Sequence, residues 1–202
     1  SEMCIRDRGT LVKKVKALGM RFGIWFEPEM ISEDSDLYRT HPDWAIQIPG
    51  RNPMRSRYQL LLDLSNPDVQ DYLYERISAI LNSADISYVK WDMNRNFSDI
   101  YSPYLPAAKQ GETAHRYVLG LYHIMDELTT RFPEILFEGC SSGGNRFDLG
   151  ILSYFPQIWA SDNTDALCRT GIQNSYSYGY PLSVFTAHVS SCLLYTSPSP
   201  RD

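Results

Sequence analysis

The sequence predicts a parallel α/β sheet of the kind that closes into barrels, and three observations carry that expectation. Helix-period segments alternate with short strand-like runs along the chain. The strand-like runs end on polar residues: residues 86–89 lead into Lys90, Trp91 and Asp92, and 157–160 into Ser161 and Asp162. Barrels keep their chemistry at such C-terminal strand tips. The span from Asp92 to Asp162 also matches about two units of a barrel that uses roughly 30 residues per βα unit. A doubly wound sheet would show a glycine-rich phosphate turn after its first strand, and the sequence has none.

Taken in order, residues 10–20 alternate Leu11, Val12, Val15 and Leu18 with lysines, which is a helix period stopped at Gly19. A strand is expected over 21–26, closing on Glu27, Pro28 and Glu29. Residues 30–60 carry Asp, Ser, Pro and Gly throughout, so they read as a long excursion with a short hairpin between Trp44 and Leu62. Asn66, Pro67 and Asp68 then signal a helix start, with Asn as cap, Pro in the first turn and an acid at the positive dipole end. That helix runs to about Ser83 with Val69, Leu73, Ile77 and Ile80 on one face. After the 86–89 strand and an irregular stretch, a helix over Thr113–Arg131 buries Tyr117, Leu121, Ile124 and Leu128. A strand over 135–137 follows, tipped by Glu138, Gly139, Cys140 and Ser141. A weakly patterned segment at 146–155, a strand over 157–160, a helix over 172–178 and one further element opening at Pro181 complete the pattern.

Both ends read as foreign to this fold. The string TCGGAGATGTGTATAAGAGACAG encodes SEMCIRD and opens the codon of Arg8, and its reverse complement, read one base in, encodes CLLYTSP and opens that of Ser199. One oligonucleotide, similar to a transposase sequencing adapter, thus accounts for residues 1–8 and 192–202 as adapter artefact. The domain is expected to occupy 9–191. Cys4 and Cys192 fall in those ends, which leaves Cys140 and Cys168. That is no disulfide framework, and a reducing, cytoplasmic setting is expected. With 43% hydrophobic and 21% charged residues the chain is globular in composition. A net charge of -5 without a basic cluster argues against nucleic acid as a partner, and no apolar run argues for a membrane.

Two carboxylates on parallel strands with one strand between them would face each other across a barrel mouth. A pair about 5–5.5 Å apart is what retaining glycoside hydrolysis needs. One carboxylate must stay ionised to attack the anomeric carbon, and the other must carry the proton for the leaving group. Lys90, two residues before Asp92 on the same strand face, would hold Asp92 charged or bind a sugar hydroxyl. Asp92 is therefore expected to be the nucleophile and Asp162 the acid/base.

The stretches GIWFEPEM, HPDW, QLLLDLSNPDV, YVKWDMNR, FEGCSSGGNRFD, WASDNTDA and YPLSVFTAHVS resemble, in order, the catalytic domain of the α-galactosidases of glycoside hydrolase family 36. The resemblance covers about residues 9–190. It implies a partial (β/α)8 TIM barrel of about four consecutive βα units, and a retaining mechanism on terminal α-galactose of melibiose, raffinose-type oligosaccharides or galactomannan. It places Asp92 as nucleophile and Asp162 as acid/base, with Trp25 stacking on the sugar and Arg57, Lys90, Asn94 and Cys140 around it. It calls for no cofactor and no metal. α-Galactoside oligosaccharides are the expected partners, with homo-oligomerisation of the full-length protein left open, as are aglycone preference and hydrolysis versus transfer. The family also uses an acidic pair from an earlier strand and further strands that close the barrel, and these lie outside this sequence. A partial barrel leaves sheet edges open, so the segment alone is expected to be insoluble or inactive.

Two other readings compete. Residues 139–143 satisfy GxSxG after a strand, and Ser141, Asp162 or Asp165, and His188 follow the chain order of an α/β-hydrolase triad. The same strand tips could instead bind sugar without turnover, although binding alone does not require an opposed nucleophile and acid. Among single residues, Glu27 and Glu29 read as acids supporting the site or as a strand-end cap, Asp165 as a helix cap or a site residue, and Cys168 as packing.

Overall fold

The computed structural model describes residues 2–186, with side chains from residue 8 onward. Its elements in chain order are α1 (Glu2–Ala17), β1 (Gly23–Phe26), β2 (Met30–Ile31), α2 (Asp36–Thr40), β3 (Ala45–Ile46), β4 (Leu60–Leu62), α3 (Pro67–Asn82), β5 (Tyr88–Trp91), α4 (Thr113–Arg131), β6 (Leu136–Gly139), α5 (Leu149–Leu152), β7 (Gln157–Ile158) and α6 (Ala166–Ser177). Strands β1, β5, β6 and β7 form one parallel sheet in that spatial order. Each new strand joins the same edge, and the addition continues with a parallel bridge from Ile158 to Phe185. A doubly wound sheet would reverse direction at a switch point, whereas one-way addition is how a barrel is built.

Local chemistry explains the elements. Gly19, at φ 75°, ends α1 where the Gly19 and Met20 amides fold back on Lys16 and Val15 carbonyls. The Asn66 side chain accepts from the Asp68 amide at 3.0 Å and Pro67 opens α3, a cap worth about 1 kcal/mol. Val69, Leu73, Ile77 and Leu81 bury the inner stripe of α3, while Tyr117, Leu121, Ile124 and Leu128 do so for α4. The two helices pack side by side on the outer face of the sheet, over Val89, Trp91 and Phe137. Gly120 lets α4 approach: a Cβ there would meet the Leu64 carbonyl oxygen at 1.8 Å.

Four expectations need correction. The excursion after β1 is more than a hairpin: β3 and β4 pair as expected, and β2 adds to β4 to make a three-stranded antiparallel sheet. Helix α1 begins eight residues before the expected start, within 1–8. Helix α6 begins at Ala166, capped by the Asp165 carboxylate on the Cys168 amide at 2.8 Å, so Asp165 is a cap. Cys168 is exposed on α6 and does not pack. Residues 187–202, including His188 and the expected foreign end 192–202, lie outside the described residues.

One buried cluster ties the layers together. Glu29, just past β1, is fully buried and accepts from Trp91 Nε1 at 2.7 Å, Tyr117 Oη at 2.5 Å and Arg146 Nη1 at 2.7 and 2.9 Å. It joins β5, α4 and the segment after β6. Removing one partner of a buried pair leaves the other charge uncompensated. Glu29→Ala in the full-length protein is therefore expected to lose about 3–5 kcal/mol, read as a lowered thermal midpoint. Glu29→Gln, which still accepts from Trp91 and Tyr117, should lose less.

Candidate active site

The parallel ladder runs one step beyond the strands and sets Asp92 in place. The Asp92 amide donates to the Phe26 carbonyl at 2.8 Å, and the Met93 amide to the Cys140 carbonyl at 3.2 Å. Asp92 thus sits between the tips of β1 and β6. Its carboxylate is mostly buried and collects donors from three strand tips: Trp25 Nε1 at 3.2 Å, Asn94 Nδ2 at 2.8 Å, the Met93 amide at 2.9 Å and the Cys140 thiol. Burial pushes the Asp92 carboxyl up, but the hydrogen bonds from Cys140, Asn94, Trp25 and Met93 outweigh it and hold the group below the usual carboxylate range. The Cys140 thiol is itself pushed up to about 12, chiefly by burial, so it stays protonated and can only donate to the carboxylate.

Asn94 joins Asp92 to a second acid. Its amide hydrogens reach both Asp92 and Glu27, while its Oδ1 accepts from Ser142 at 3.1 Å. Glu27 also accepts from Arg57 Nη1 at 3.0 Å. Arg57 sits with Tyr58 at the tip of a tight turn closed by the Ser56–Gln59 bridge, with both residues at positive φ. Because the donors on Asp92 favour its ionised form, the loss of one should show in a pH profile. Asn94→Ala in the full-length protein is expected to move the acidic limb of kcat/KM to higher pH, and an unmoved limb would contradict the role given to Asn94.

Lys90 pairs across the sheet. Its contacts run sideways, with Nζ 3.3 Å from Glu138 Oε1 and 3.8 Å from the centroid of the Trp159 ring. The register explains this. Lys90 faces Glu138 directly across β5 and β6, where neighbouring strands are about 4.8 Å apart, against about 6.6 Å to residue i+2 on the same strand. Glu138 is buried and also accepts from Tyr88 Oη and from Thr186 Oγ1 at 2.5 Å.

Asp162 stands past the tip of β7, with β6 between it and β5, as the spacing predicted. Trp159 Nε1 donates to its Oδ1 at 2.8 Å. The loop after β6 closes on it: Gly143 lies at φ 86°, and a Cβ there would stand 3.0 Å from Ser161 Cα and 3.3 Å from the Asp162 amide nitrogen. Trp25, Asn94 and Cys140 therefore gather directly on Asp92, Arg57 joins through Glu27, and Lys90 belongs to the Asp162 side through Trp159. Sequence reasoning left Glu27 undecided and missed Glu138 and Trp159. Their signal was position alone, at or just past a strand tip.

The serine-hydrolase reading fails on geometry. Ser141 is buried and its hydroxyl donates to the Met93 carbonyl at 3.1 Å. No helix starts there, since α5 opens only at Leu149. Among the described residues no three His, Cys, Asp or Glu side chains converge to hold a metal, and no helix is long and apolar enough to cross a membrane.

The Melibiase family model matches residues 6–195. The chain belongs to the melibiase family. Among melibiase relatives, α-galactosidase AgaA of Geobacillus stearothermophilus is 58% identical over 181 residues, covering 90% of this chain and 25% of the relative. α-Galactosidase 1 of Pediococcus pentosaceus is 57% identical over 179 residues, covering 89% and 24%. The chain thus spans about a quarter of the length of the curated relatives it matches. The crystal structure of an AgaA variant with raffinose superposes with a TM-score of 0.90 at 55% identity, over 93% of this chain and 26% of that one. A second AgaA variant, with stachyose, gives 0.90 at 53% identity over 96% and 27%. The melibiase fold is a TIM barrel, and this chain is a consecutive piece of it within the catalytic domain.

Proposed function

We propose that the full-length protein carrying this segment releases terminal α-D-galactose from α-galactoside oligosaccharides by double displacement, with Asp92 as nucleophile and Asp162 as acid/base. The observation that carries this is the Asp92 carboxylate fixed at one strand tip by four donors that favour its ionised form, with a second, more exposed carboxylate two strands along the same sheet. Asp92 attacks the anomeric carbon while the leaving oxygen takes a proton from Asp162. Water then attacks the glycosyl-enzyme as Asp162 takes its proton back.

The relatives support the substrate class, since AgaA is named an α-galactosidase and its variants bind raffinose and stachyose. Those two variants each replace an aspartate, and the two positions lie as far apart in AgaA as Asp92 and Asp162 do here. Trp25 offers its half-exposed ring to the sugar, and Arg57, Lys90 and Asn94 offer donors to hydroxyls. A cytoplasmic setting fits the free Cys140 and Cys168. A galactose-configured cyclitol epoxide, incubated with the full-length protein and followed by peptide mapping, should label Asp92. Labelling of another carboxylate would reassign the nucleophile.

A further inference from the structure

Arg169, on α6, carries a guanidinium with no hydrogen bond among the described residues. It is 4% exposed, yet its Nε, Nη1 and Nη2 have no hydrogen-bond partner among those residues. Its Cζ lies instead 4.6 Å from the centroid of the Trp159 ring, the same ring that Lys90 Nζ approaches to 3.8 Å. A desolvated cation over an indole is attracted more strongly than an exposed one. Two cations from different elements, β5 and α6, therefore grip one indole that is also tied through its N–H to Asp162.

We infer that Trp159, braced by Arg169 and Lys90, is a positioning residue that decides which oxygen of Asp162 carries the catalytic proton. A protonated carboxyl has one O–H and one acceptor oxygen. The indole N–H is a donor only, so the oxygen it faces is the acceptor. With Trp159 Nε1 on Oδ1, the transferable proton sits on Oδ2. In the first step Asp92 bonds to the anomeric carbon, the bond to the leaving oxygen breaks, and that oxygen takes the proton from Oδ2. In the second, water oxygen bonds to the anomeric carbon, the ester to Asp92 breaks, and Oδ2 receives the water proton. The indole bond to Oδ1 persists through both steps and fixes the carboxyl rotamer.

This rests on the acid/base reading of Asp162. The test compares kcat/KM on raffinose, whose leaving oxygen needs protonation, with a nitrophenyl α-galactoside, whose leaving group does not. In the full-length protein, Trp159→Phe keeps a ring for the cations and removes the N–H. Replacing Trp159 by its benzothienyl analogue keeps the shape as well, should the phenylalanine variant fold poorly. Both are expected to lose about 10–100-fold on raffinose, less than the roughly 10²–10⁴-fold that general acid catalysis as a whole contributes, and only a few-fold on the nitrophenyl substrate. Arg169→Met should show the same selectivity more weakly. Equal losses on the two substrates, or no loss on raffinose, would overturn the proposal while leaving the α-galactosidase reading intact. An unmodified protein that turns over neither substrate would overturn both.

Discussion

Asp92→Gly in the full-length protein is expected to lower kcat on raffinose by on the order of 10⁵-fold, the scale seen when a catalytic nucleophile is removed. The side chain supplies the atom that bonds to the anomeric carbon, and the neighbouring Glu27 carboxylate is tied to Arg57 and Asn94 at the adjacent strand tip. Asn94 and Trp25 are donors, and the Cys140 thiol is held protonated by burial. The glycine also opens the volume the carboxylate filled. Azide entering that space should restore part of the rate and yield the β-galactosyl azide, because a single displacement inverts the centre. Asp92→Asn leaves no such space and should remain inactive with azide. Retention of raffinose turnover within about tenfold of the unmodified protein, against the loss cited for nucleophiles, would end the assignment.

Asp162→Ala should cost about 10²–10⁴-fold on raffinose. A sugar alkoxide is a poor leaving group and cannot depart at useful rate without a proton. On a nitrophenyl α-galactoside the first step needs no acid, so the loss there should be much smaller and confined to the water step. Azide, which needs no general base, should speed that step and give the α-galactosyl azide, the opposite anomer from the Asp92→Gly product. Equal losses on both substrates would deny Asp162 the acid role.

The sequence made some of this legible and concealed the rest for physical reasons. Helices α3 and α4 were read nearly to the residue because each carries a long apolar stripe and α3 a strong cap signal. Helix α6 was entered late because Arg169 is its only buried residue, so its first turns show no stripe. Strand β2 is two residues long and has no period to detect. At the site, Asp92 and Asp162 stood out as carboxylates at strand tips, and the order β5, β6, β7 places one strand between them. The partner of Lys90 could not be read, since it depends on sideways register between β5 and β6 and not on distance along one strand. The same limit hid the contacts that place Arg169 and Lys90 over Trp159, which join residues from α6, β5 and the end of β7.

The central claim is that Asp92 and Asp162 work as a nucleophile and an acid/base pair, and the stereochemistry of the first product tests it most directly. Two displacements restore the starting configuration, whereas one displacement by water inverts it. Proton NMR of raffinose hydrolysis by the full-length protein, recorded before mutarotation mixes the anomers, should show α-galactose appearing first. Initial formation of β-galactose would contradict the account.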